Sequence, residues 1–70
     1  MDIVIKFLES EFEKGSKCKT YPTRKTYFDH AFGAISLAIL LCGKDWDEAS
    51  KYVVLWDEEW RTKFERMLLK

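Results

Sequence analysis

The segment from Ala31 to Cys42 constrains this chain most: twelve residues with no charge, interrupted only by Ser36 among hydroxyl or amide side chains. It is too short to cross a bilayer, which takes about 20 apolar residues. At about 100° per residue, Lys25, Asp29 and Ser36 share one narrow polar strip of a helix, and nearly everything else is apolar. A helix apolar around most of its circumference is expected at the centre of a fold, covered on several sides. Ala31, Gly33, Ala34 and Ala38 add little bulk, so neighbouring backbones can come close. Gly33 inside a helix costs up to about 1 kcal/mol relative to Ala, and tight packing is the expected offset.

Seventy residues must supply that cover. A chain of this size buries only about 60% of its unfolded surface, so one small domain over residues 1–70 is expected, with self-association as a second source of burial. Hydrophobic residues make up 47% and aromatics 16%, which excludes intrinsic disorder. No charged start, long apolar run and cleavage site open the chain, and two cysteines do not make a disulfide framework. The expected setting is a reducing, cytoplasmic one.

The periodicity predicts an all-α fold, a small three-helix bundle with helices at about 2–14, 24–42 and 45–69. In the first, Ile3, Val4, Phe7, Leu8 and Phe12 recur at helical spacing, Glu9, Glu11 and Glu13 fall mostly on the other side, and Gly15 is the stop. Ser16 to Arg24 reads as a loop around Pro22, and Thr26 with Asp29 resembles a capping box for the second helix. Gly43 supplies a left-handed end to that helix, and Asp45 with Glu48 a cap for the third.

Trp46, Ala49, Val53, Trp56, Trp60, Phe64 and Met67 keep one phase along the third helix, which favours one continuous element. Val54 and Leu55 lie off that stripe, and Asp57 could cap a separate helix, so a bend near 56–57 is the alternative. Such a helix spans about 35 Å and the first only about 20 Å. The excess points to a second copy of the chain, by default a two-fold homodimer. Trp56, Trp60, Phe64 and Met67 are the expected interface, weighed against ordinary core.

The formal net charge of zero conceals a segregation. The balance is −3 over residues 1–13, +5 over 14–28 and −2 over 29–70. Lys17, Lys19, Tyr21, Arg24 and Lys25 form a basic, aromatic segment of the kind that holds phosphates and stacks bases. An accessory role on nucleic acid is therefore the alternative function, and a solvated loop that balances acidic helices is the plainer one. The turn at Gly43 suggests helix-turn-helix, but the helix after it opens Asp45-Trp46-Asp47-Glu48, which repels phosphate.

His30 falls on the flank of the buried face, where a partly buried structural role is expected rather than general-base catalysis. No metal is expected: His30 and Cys42 stand about 18 Å apart on one helix, and Cys18 with either gives two ligands where structural zinc takes four. A Cys18–Cys42 disulfide is left open, with Cys42 read as inert core. No cofactor motif or catalytic triad is present, so the expected function is non-enzymatic protein–protein contact, starting with the chain itself.

Overall fold

A computed structural model describes residues 2–69. Helices α1 (Asp2–Ser16), α2 (Tyr21–Leu41), α3 (Trp46–Val54) and α4 (Arg61–Leu68) follow one another, and a π-helical segment, Leu55–Trp60, joins α3 to α4 without a break. The fold is all-α: three helical rods, the last of them 23 residues long.

Gly43 has φ of +60°, the left-handed conformation that ends α2 and turns the chain into α3. Asp45 accepts a hydrogen bond from the Glu48 backbone N–H at 3.1 Å, the expected N-cap of α3. The carboxylate of Glu48 pairs with Lys51 at 2.9 Å.

Helix α2 begins earlier than expected. Pro22 sits in its first turn, where a missing N–H is no loss. Thr20 is the N-cap, and Thr23 donates to the Thr20 carbonyl at 2.9 Å. The capping box at Thr26 and Asp29 does not form: Thr26 donates to the Pro22 carbonyl at 3.1 Å, and Asp29 holds Lys25.

Helix α1 also runs past its expected stop. Gly15 lies inside it, and a Cβ there would stand 2.5 Å from Met67 Sδ and 3.2 Å from Tyr27 Cβ. The glycine is a point of close approach, not a helix end. Gly33, where close packing was expected, has nothing within 4 Å of a Cβ position.

The core gathers Leu8, Ala31, Ile35, Leu55, Trp56, Trp60, Phe64 and Met67, with Phe12, Tyr27, Phe28 and Tyr52 packed against it. Phe64 is its hub. Phe12 and Phe28 meet its ring edge-on at 5.5 and 6.3 Å, and Trp56 stacks on it at 5.7 Å.

The last rod solves a phase problem. On a uniform α-helix, Leu55 and Phe64 would stand about 180° apart. Both are nevertheless buried in one core. The segment between them widens the turn, with the Arg61 N–H bonding to the Trp56 carbonyl five residues back. That slip rotates the first half of the rod relative to the second. Ala49, Leu55 and Trp56 turn inward, while Trp46 and Val53, expected in the stripe, are exposed. The last rod is thus one continuous element, as favoured, with a π turn at Leu55–Trp60 where a bend was the alternative.

Helix α2 packs against α1, α3 and α4, as a central helix should. It is covered on one side only, however: Phe32, Leu37, Leu40 and Leu41 are all more than half exposed.

Candidate functional site

The expected aromatic interface lies in the interior. Trp56, Trp60, Phe64 and Met67 are between 0% and 8% exposed within one chain. Trp60 meets Phe12 edge-on at 6.2 Å, and Trp56 does the same with Phe28 and Phe32 at 5.9 Å. These side chains hold the bundle together and offer no surface while it is folded. The bulk of two indoles reads the same in a core as in an interface, so spacing alone did not separate the two.

The basic segment is dispersed by its surroundings. Lys17 pairs with Glu13 at 3.1 Å, and Lys14 lies 3.7 Å from Glu11. Lys25 donates to Asp29, a bond that raises the lysine pKa above its ordinary value, and its Nζ stands 5.3 Å over the Phe28 ring. Arg24, expected as an exposed phosphate contact, is 8% exposed. Its Nη1 donates to the Cys18 carbonyl at 3.2 Å and its Nη2 reaches the Leu68 carbonyl at 3.5 Å. Arg24 therefore ties the α1–α2 loop to the C-terminus of α4, where a cation also meets the negative end of the helix dipole. Lys19 and Tyr21 are exposed, and Lys19 makes no ion pair among the described residues.

Glu11, expected on the polar side of α1, is buried at 5% exposure. Its Oε2 lies 3.0 Å from His30 Nδ1. His30 itself is exposed, contrary to the half-buried position expected, and its ring meets Tyr27 edge-on at 5.8 Å. The pair joins α1 to α2 at mid-length. Both cysteines are free, Cys18 Sγ bonding to the Lys14 carbonyl and Cys42 Sγ to that of Ala38. Among the described residues no group of three or more His, Cys, Asp or Glu could hold a metal ion, and no helix is long and apolar enough to cross a membrane.

What remains is an apolar face that the tryptophan stripe overshadowed. The Ile3 and Phe7 side chains of α1 and the Ala34, Leu37, Ala38 and Leu41 side chains of α2 line one shallow hollow. A second hollow continues it along Phe7, His30, Gly33, Ala34 and Leu37. Leu40 and Leu41 are 75% and 77% exposed, and Ile3, at the same end of the bundle, is 84% exposed. Trp46 follows the Gly43 turn at that end and is 80% exposed. The signal was present in the all-round apolar helix. The sequence pattern says that α2 is apolar everywhere, and only the placement of its neighbours says which side stays bare.

The class defined by these features is a small antiparallel bundle with a bare apolar flank. No protein family model matches the chain, and no curated protein or solved structure is significantly similar to it.

Proposed function

We propose that this chain is a non-enzymatic helical protein that works by protein–protein contact, through the bare side of α2 and the adjoining edge of α1. One observation carries the reading: from Ala31 to Leu41 α2 has no charge, yet Leu37, Leu40 and Leu41 are more than half exposed. Isolated exposed leucines are ordinary, but a contiguous apolar face on so small a domain is the mark of an interaction site.

The shape of the chain supports the same reading. Its radius of gyration is 12.3 Å, against about 11 Å for a compact chain of 70 residues. Its accessible surface is 5023 Å², against about 4600 Å² from the size scaling of monomeric proteins.

The nucleic-acid alternative draws less support, because Lys14, Lys17 and Lys25 are engaged by carboxylates and Arg24 is buried. A paired substitution separates the two readings. Leu37→Asp with Leu40→Asp, both at exposed positions, should leave the circular dichroism unchanged and abolish the protein contacts of the unsubstituted chain, read by cross-linking and co-purification. Protein contacts that survive the pair would sink the reading. Oligonucleotide binding at low salt, lost in Lys17→Ala with Lys19→Ala, would favour the basic segment instead.

A further inference from the structure

We infer that this face takes an acidic amphipathic helix of another protein, laid in the trough between α1 and α2 with its apolar stripe in the two hollows and its carboxylates along the α1 edge. The inference rests on the contact function proposed above and names the chemistry of the partner.

Shape selects a helix. The two hollows share Phe7, Ala34 and Leu37, so they form one trough from His30 to Leu41. Gly33, Ala34 and Ala38 lie in it among the larger Ile3, Phe7, Leu37 and Leu41 side chains. Small residues among large ones leave holes that apolar knobs fill. Between His30 and Leu41 α2 rises about 16 Å, the length of three turns. A partner helix with apolar residues at i, i+3, i+4 and i+7 covers that length. A small molecule fits less well, because its sites enclose most of its surface and these hollows are shallow. A membrane also fits less well, since anionic headgroups along this side would meet Glu9, Asp29 and Asp47, which are exposed and lie outside the trough.

Charge selects an acidic one. On the surface of α1, Lys14 lies within about 20° of both Ile3 and Phe7, and Lys6 within about 60° of Ile3, so both cations follow that wall. Lys44 comes just beyond Leu41, past the Gly43 turn. Lys6 and Lys44 are exposed and make no ion pair among the described residues. The carboxylates nearby are engaged or turned away. Glu11 is shared by His30 at 3.0 Å and Lys14 at 3.7 Å, and Asp29 holds Lys25. Asp45 caps α3, and Glu48 pairs with Lys51. Glu9 points about 120° away from Ile3, and Asp47 about 160° away from the buried Ala49. What the trough lacks is therefore negative charge along its α1 wall and at its Leu41 end, and a helix with acids beside its apolar stripe supplies it. Three turns of helix place this contact at the small, transient end of protein interfaces.

Fluorescence anisotropy with labelled synthetic peptides tests the chemistry. The probe is a peptide of about 16 residues, long enough to be partly helical alone, with leucines three and four residues apart and glutamates on both sides of that stripe. A second peptide carries lysine in place of every glutamate. The chain should bind the first at least about tenfold more tightly than the second, and the margin should shrink as salt is added. Lys6→Glu with Lys44→Glu should reverse the preference. A gain for the lysine peptide cannot arise from misfolding. Lys51→Glu with Lys63→Glu, the same change in net charge made on the last rod, should leave the preference as it was. Equal binding of the two peptides, binding of neither, or a preference that survives Lys6→Glu with Lys44→Glu would overturn the inference. So would a doubled mass in light scattering, or co-sedimentation with phosphatidylcholine–phosphatidylglycerol vesicles, that Leu37→Asp with Leu40→Asp abolishes. If protein contacts of the chain are still lost in that pair, the acidic helix falls and the contact function stands.

Discussion

The two ends of this bundle treat their glycines in opposite ways. At the end where α1 turns into α2, Gly15 lets Met67 and Tyr27 press against the α1 backbone, and Arg24 spans the Cys18 and Leu68 carbonyls. Every rod is tied to another there. At the other end Gly33 faces open space, and Ile3, Leu40, Leu41 and Trp46 stand out with no neighbour to cover them. One end has traded surface for internal packing. The other has kept apolar surface that its own chain does not use, and the uncharged half of α2 lies there.

Substitutions should feel that difference in both size and sign. Met67→Ala, at a side chain only 1% exposed, should cost about 2–5 kcal/mol in urea unfolding, from lost burial and a cavity at the closed end. Gly15→Ala pushes a methyl into the same contact and should cost about 1–3 kcal/mol. Combined, the two should cost less than their sum, because the shortened residue 67 makes room for the new methyl. Equal or greater cost in the double variant would show that the Gly15 approach is not set by Met67. Gly33→Ala should have the smallest effect and the opposite sign, a gain of up to about 1 kcal/mol at concentrations where the chain is monomeric. A loss there would mean that the open end is packed in a way the contacts around Gly33 do not reveal.

Much of the fold could be read from local pattern. Gly43 and Asp45 act through their own backbone neighbourhoods, and both do what their residue types predict. The start of α2 was legible too, since Pro22 fits a first turn better than Thr26 fits a cap, and a loop was expected in its place. Other features depend on partners distant in sequence. Gly15 has the composition of a helix stop and works as a contact because Met67 lies across from it. Glu11 reads as a surface acid and is buried because His30 and Lys14 reach its carboxylate. The contact face was misplaced for a related reason. Three tryptophans looked like the strongest anchors, and two of them, Trp56 and Trp60, are spent on the core around Phe64. The leucines left over on α2 have no distinguishing local pattern at all. They stand out only once the other rods have been placed.

The π turn has a consequence for how this chain tolerates change in length. It takes one more residue per turn than the helices on either side, and Asp57, Glu58 and Glu59 within it all face solvent. Losing one of the three lets the rod relax to a regular α-helix that keeps the phase between its two halves. The same loss in α4, at Lys63 for example, swings Phe64 and Met67 by about 100° away from the core against which they pack. The acidic stretch is the slack in an otherwise taut helix, the one place along it where a residue can be given up without unravelling the packing beyond.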